Sequence, residues 1–450
     1  MITDMTSGKP SSVLWKFCIP LLISVAFQQM YSIADSVIAG NFIENGEAAL
    51  ASISASYPVT MLFIAAASGM SAGCSVICSN LFGSHKTGIL KTAVTTSYIA
   101  AAALSLILTL LGIALCPLII SALGTPTEVF ADSVTYLNIY TLGIPALFFY
   151  NVCNGIFAAL GDSKTPLFLL IFSSVGNVIL DLLAVAVFSM GIPGIAWATF
   201  AAQLISAAAS FVILNTRVKK LGDSGSDGLF SAHLLGKIAL VAIPSILQQS
   251  FVSVGNLFIQ GIINSSGLSA MAGYSAAIKL NTFVVTSVSA MSNGMSNFTA
   301  QNVGAGKTDR VRSGFLTSLI MSACISLPVS ALYIIFGREL IALFMDSPDA
   351  GAVDIGRAFL TIVAPFYFAV TAKLNCDAVL KGAGAMRYFV ITTFTDLILR
   401  VVLAYVFSGA LGMGLNGVWW SWPVGWCVSA GLSVMFYLSG HWKKHMLNLK

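Results

Sequence analysis

From about residue 13 to residue 440 the chain alternates between apolar runs and short polar connections rich in Gly, Pro, Lys and Arg. Each run reaches the roughly 20 apolar residues that a helix needs to cross a bilayer core. The pattern predicts helices near 13–39, 48–79, 92–118, 131–160, 165–190 and 193–216, then near 234–263, 268–302, 310–336, 353–382, 386–408 and 414–440. Six spans precede and six follow a polar, charged, Gly- and Ser-bearing stretch that reads as a linker. The expected organisation is an all-α polytopic membrane protein with an N-lobe at 1–216, a cytoplasmic linker at 217–233 and a C-lobe at 234–450 that ends in a short basic tail.

The pattern is written twice. Ile-Pro opens a helix at Pro20 and again at Pro244; Ser79-Asn80…Lys86 returns as Gln301-Asn302…Lys307. Ile144-Pro145 returns as Ala364-Pro365, and Gly191-Ile-Pro-Gly194 as Gly414-Leu-Asn-Gly417. Duplicated membrane halves mark transporters whose substrate path lies between the repeats.

Composition narrows the class further. With 57% hydrophobic and 9% charged residues, the chain is far from the roughly 25% charge of soluble domains. The first apolar stretch is too long for a signal-peptide core, so no cleavable leader is expected. All eight cysteines fall in apolar runs without a Cys-x-x-Cys pair, and the four histidines lie in connections or the tail. Neither set has metal-ligand spacing, and no structural metal or cofactor is expected. The net charge of +5 does not point to nucleic acid, because the cations sort by loop. Assigning alternate connections to two faces puts seventeen Lys and Arg on one side and only Arg338 and Arg357 on the other. The positive-inside rule then places both termini in the cytoplasm. Six spans per half give parallel repeats, related by a pseudo-two-fold axis along the membrane normal.

Seven ionisable residues fall inside the spans: Asp35, Asp181, Lys279, Lys373, Asp377, Asp396 and Arg400. A charge at that depth costs at least about 2.5–3.5 kcal/mol, so each needs a partner or a task. In the second half, Lys373 and Asp377 are four apart, as are Asp396 and Arg400, which suits structural ion pairs on one helix face. Lys279 has no such mate, and Asp377 or Asp396 is a possible neighbour.

In the first half Asp35 and Asp181 have no intramembrane cation nearby in sequence. A carboxylate so placed picks up a proton readily or holds a cation. Polar groups recur around them at helical spacing: Gln28, Tyr31 and Asp35; Asn151 and Asn154; Asn177 and Asp181; Thr199 and Gln203. Carboxylate, amide and hydroxyl oxygens are the ligands that a hard cation or proton relay uses. Pro20, on the helix that carries Asp35, removes a backbone hydrogen bond and invites a kink.

Tyr31-Ser-Ile-Ala-Asp35-Ser, Leu160-Gly161-Asp162-Ser-Lys164-Thr-Pro166, Gly176-Asn177-Val-Ile-Leu-Asp181 and Gly191-Ile-Pro-Gly194-Ile-Ala-Trp-Ala-Thr199 together resemble the multidrug and toxic compound extrusion (MATE) family, and its DinF-type branch in particular. The resemblance spans nearly the whole chain. It implies a V-shaped central cavity, alternation between outward-open and inward-open states, and an N-lobe coupling site for H⁺ or Na⁺ at Asp35, Asn177, Asp181 and Thr199. Gln28, Tyr31, Asn151, Asn154 and Gln203 would line the adjoining cavity. The seventh helix carries Gln248 and Gln249 rather than an acid, unlike the NorM-type branch.

The expected activity is cation-coupled antiport of lipophilic, positively charged compounds across a prokaryotic cytoplasmic membrane. The expected partners are a small-molecule lipophilic substrate and membrane lipids, with no nucleic acid, and the chain is expected to act as a monomer. Export or flipping of a lipid-linked or polar metabolite is the alternative, for which Lys279, Lys373 and Arg400 would supply cations. An intramembrane prenyltransferase would need Asp-rich motifs for Mg²⁺-diphosphate that the chain lacks.

Overall fold

The computed structural model describes residues 2–42, 46–222, 228–345 and 349–446; the side chains of 32–37, 39–42, 46–50 and 445 lie outside that description. Among the described residues the chain is helical throughout, with no strand. In the first half the helices are α1 (Pro10–Phe42), α2 (Gly46–Gly83), α3 (Thr87–Ala122), α4 (Thr127–Leu142), α5 (Ile144–Ala159), α6 (Lys164–Leu182) and α7 (Gly191–Lys219). In the second half they are α8 (Ala232–Asn264), α9 (Leu268–Gly304), α10 (Thr308–Ala342), α11 (Ala350–Val363), α12 (Tyr367–Ala383), α13 (Met386–Tyr405) and α14 (Gly414–Leu438).

These fourteen helices make twelve rods, because the fourth rod of each half is broken in two. The breaks fall at the repeated prolines: α4 and α5 meet at Gly143 with a 46° bend before Pro145, and a 3₁₀ turn at Ala364–Phe366 holds Pro365 between α11 and α12. Proline lacks the N–H that would continue the ladder, so a new helix starts there more easily than the old one continues. Nine spans among the described residues are long and apolar enough to cross a membrane, or ten with the bent pair. The rods α9 and α14 are absent from that group. The reason is visible in their residues: α9 is dense in Ser, Thr and Asn, while α14 carries four tryptophans among glycines and serines.

A second repeated device sits at the ends of α6 and α13. Each runs on into a five-residue π-helical turn, Leu183–Val187 and Val406–Ala410. The following Gly-x-x-Gly then turns the chain back. Gly191 and Gly414 take positive φ, +60° and +57°, which glycine adopts without strain. Gly194 and Gly417 permit close approach: a Cβ on Gly417 would lie 2.6 Å from the Phe407 carbonyl carbon, and one on Gly194 would lie 3.2 Å from the Ala184 Cβ.

The chain forms two compact units. One comprises Met1–Asp4 and Ile19–Ser250, the other Met5–Cys18 and Phe251–Lys450, so α1 and α8 each contribute to both. In the second unit the stretch before α1 is gripped by the Gln301…Lys307 motif. Gln301 Oε1 accepts from Met5 N at 2.9 Å, Lys307 donates to Thr6 O at 3.0 Å, and Arg310 donates to Gly8 O at 2.9 Å. In the first unit the stretch before α8 is gripped by the start of α3. Lys91 donates to Gly222 O at 3.0 Å, Thr92 to Gly228 O at 2.9 Å, and Thr96 accepts from Ser231 N at 3.1 Å. The core of the second unit is aromatic, with Trp419 stacked on Tyr274 and edge-on to Phe359.

Candidate functional site

In the first unit, Asn177 and Asp181 stand one turn apart on α6 and are buried, 3% and 0% exposed. The Tyr31 hydroxyl of α1 donates to Asn177 Oδ1 at 2.5 Å. This contact ties the polar stripe of the first helix to that of α6. Asn177 Nδ2 is buried without an acceptor, so the amide has a donor to offer. Asp181 lies one residue before the last of α6, just ahead of the π-turn, an irregularity frequent at functional sites. Asp35 lies on α1, but its side chain is outside the described residues.

The remaining predicted groups have more local contacts. Asn151 donates to Leu147 O on its own helix at 2.8 Å, while its carbonyl accepts from Ser71 at 2.7 Å. Asn154 Oδ1 is buried without a donor. Gln203 lies beside Gly143, where an added Cβ would come 3.0 Å from its Oε1. Thr199 is half-buried on α7, and Gln28 is exposed. On α1 Pro20 is followed by Ser24, whose hydroxyl donates to the Pro20 carbonyl at 2.9 Å within a continuous helix. Of the aromatics near the stripes, Phe148 is fully buried and Phe149 stacks on Tyr98 at 6.0 Å, so both serve packing.

The second unit holds a denser charged cluster. Lys373 on α12 lies 3.2 Å from Asp377 and 3.5 Å from Asp396 of α13. Asp377 also accepts from Thr392 and Ser433, each at 2.8 Å. Asp396 is therefore held by Lys373 from a neighbouring helix, while Arg400, its i+4 neighbour, stands over the Trp422 ring at 4.5 Å. Lys279 is exposed and lies over Phe344 at 5.8 Å, apart from both carboxylates. A neutral chain, Ser318 to Asn375 at 2.5 Å and Asn375 to Ser322 at 3.2 Å, joins α10 to α12.

The buried Asp162 of the α5–α6 connection is a charge centre that spacing along one helix does not single out. It pairs with Arg217 at the end of α7 and accepts from Thr165 N at 3.1 Å and Thr165 Oγ1 at 2.8 Å. The Asp-x-x-Thr spacing is a helix-capping signature that could have revealed the second contact.

Two like-patterned sets of bilayer-length helices, with carboxylates, amides and cations buried in their interiors, define a polytopic membrane transporter rather than an enzyme. The chain belongs to the MatE family, whose model matches residues 20–183 and again residues 244–406. The probable multidrug resistance protein YpnP of Bacillus subtilis is 28% identical over 442 residues, 98% of this chain and 97% of that one. An FAD transporter of Shewanella oneidensis is 26% identical over 424 residues, 92% of this chain and 90% of that one. The fold matches the outward-facing structure of a multidrug resistance MATE family transporter of the MOP superfamily with a TM-score of 0.90, at 22% identity, covering 98% and 99% of the two chains.

Proposed function

We propose that this multidrug efflux family member is an ion-coupled antiporter that exports lipophilic, positively charged compounds across the cytoplasmic membrane, with Asp35 and Asp181 as the coupling acids. The observation that carries the reading is the buried Asn177–Asp181 face of α6, reached from α1 by the Tyr31 hydroxyl. In the outward-open state H⁺ or Na⁺ reaches the two acids and is held by Asn177 and Thr199. The ion draws α1 toward α6, with Pro20 as the point where α1 yields, and exported compound leaves. In the inward-open state the ion departs, and the two ionised carboxylates favour a cationic compound again. Gln28, Asn151, Asn154 and Gln203 line the adjoining space. Both termini face the cytoplasm, and the monomer is the working unit.

Reciprocal linkage of 1–3 kcal/mol between ion and compound is enough for such exchange. A flippase for lipid-linked pyrophosphate would draw on Lys279, Lys373 and Arg400 together, and of these Lys373 is shared between two carboxylates.

The test is ethidium efflux from proteoliposomes under separately imposed pH and Na⁺ gradients. One gradient is expected to drive wild-type transport, while Asp35→Asn and Asp181→Asn still bind ethidium but fail to couple. Normal gradient-driven transport by both variants would overturn the assignment.

A further inference from the structure

The duplication allows each residue of the first-unit site to be matched with its counterpart in the second. Pro20 and Pro244 set an offset of 224 residues for the first helix of each repeat, so Gly255 stands where the first repeat has Tyr31, and Ile259 where it has Asp35. The π-turns and the Gly-x-x-Gly turns set an offset of 223. By that register Arg400 replaces Asn177, Ala404 replaces Asp181 and Trp422 replaces Thr199. Both acids have become buried apolar residues, Ile259 and Ala404, each 0% exposed. The amide and the hydroxyl have become a guanidinium and an indole.

These replacements meet in space within the second unit. The Arg400 guanidinium carbon is 4.5 Å from the Trp422 ring centroid, and a Cβ on Gly255 would lie 3.6 Å from Arg400 Nη2. Arg400 is 5% exposed. Its Nε and Nη2 are buried without an acceptor, as is Trp422 Nε1. The ring satisfies one face of the guanidinium, but its Nε and Nη2 donors have no acceptor. The nearest carboxylate in sequence, Asp396, is held by Lys373 through Oδ2 at 3.5 Å, while its Oδ1 makes no hydrogen bond. In the first repeat the corresponding place is filled, because Tyr31 bonds Asn177. Glycine at 255 sends no side chain to the guanidinium, and a Cβ there would touch only Val401 at 3.4 Å and Arg400 Nη2 at 3.6 Å. A desolvated cation with unused in-plane donors, beside a further indole donor, recognises planar or tetrahedral oxyanions.

We propose that Arg400 and Trp422, beside the side-chain-free backbone of Gly255, form an anion-binding site in the second unit that receives the carboxylate or phosphate group of a ligand. The site is independent of the coupling acids. It extends the ligands of this protein from lipophilic cations to acidic and zwitterionic compounds. Asp396 is its internal competitor: one turn before Arg400, it can turn its unbonded Oδ1 to the guanidinium without leaving Lys373.

Titration of the purified full-length protein with benzoate, and separately with phenyl phosphate, followed by tryptophan fluorescence and thermal shift, tests the proposal. Wild type should give a saturable response to at least one probe, and which probe succeeds identifies the oxyanion. Arg400→Gln should weaken that binding about tenfold or more, the effect expected for losing hydrogen bonds to a charged group. Arg400→Lys should fall between, because a point charge replaces the fork. Asp396→Asn should tighten binding several-fold by removing the competitor. No saturable response of wild type to either probe overturns the site, as does unchanged affinity in Arg400→Gln. If Arg400→Gln does not yield monodisperse protein, Asp396→Asn decides, and unchanged affinity there also overturns the proposal.

Discussion

Lys373 is the hinge of the charge balance in the second unit, with Asp377 at 3.2 Å and Asp396 at 3.5 Å. Removing one partner of a buried pair leaves an uncompensated charge and typically costs about 3–5 kcal/mol. Lys373→Met should therefore lower the melting temperature sharply, and adding Asp377→Asn should restore part of the loss. Equal melting of single and double variants would show that the pairing is not what stabilises this region. At this scale the sequence was informative only within one helix. The Asn177–Asp181 and Lys373–Asp377 spacings were readable because both residues of each pair share a face. The Tyr31–Asn177 bond and the capture of Asp396 by Lys373 depend on which helices are neighbours, and no spacing along one helix encodes that. Arg400 looked paired for the same reason, since i,i+4 spacing shows that a contact is possible but not which competing partner prevails.

Individual elements owe their ends to single residues. The α11 helix begins at Asp349, whose carboxylate accepts from Ser269 Oγ at 2.8 Å, Ala352 N at 3.2 Å and Gly351 N at 3.4 Å. The Ser269 bond first, then the two backbone donors, hold the Asp349 carboxyl below the usual carboxylate range. Because the folded pKa is the lower one, this cap stabilises fully above the unfolded value of about 3.9. The contribution fades as pH falls through that value toward the folded pKa. Thermal melts of wild type and Asp349→Asn should converge below about pH 4, with wild type the more stable at neutral pH. A difference that persists undiminished in acid would refute the capping role. Helix ends such as these were legible wherever Pro, Gly or a capping acid marks them, and the twelve rods follow the twelve apolar runs. The π-turns after α6 and α13 were not legible. Their sequences, Leu-Ala-Val-Ala-Val and Val-Phe-Ser-Gly-Ala, read as ordinary apolar helix, and the Gly-x-x-Gly that follows each marks only the turn back.

Across the whole molecule, duplication explains both the architecture and its chemical asymmetry. The same fittings recur in each repeat: a proline that lies about three turns inside the first helix instead of opening it, a clasp on the stretch before that helix, a broken fourth rod and a π-turn followed by Gly-x-x-Gly. Within that frame one repeat retains acids and the other has an arginine and a tryptophan. The repeat was plain in the sequence because Gly and Pro punctuate it, whereas the changed chemistry at matching positions needed the register that the turns supply.

The central claim is that the first-unit acids link ion occupancy to compound binding. Calorimetric titration of ethidium into the purified protein, in buffers of differing ionisation enthalpy and with Na⁺ varied, measures that linkage directly. Coupling through these acids requires either proton release on ethidium binding or ethidium affinity that weakens as Na⁺ rises, by a factor of about 5–150 at saturation, and loss of that dependence in Asp181→Asn. Ethidium binding that exchanges no protons and is indifferent to Na⁺ in the wild type would contradict it.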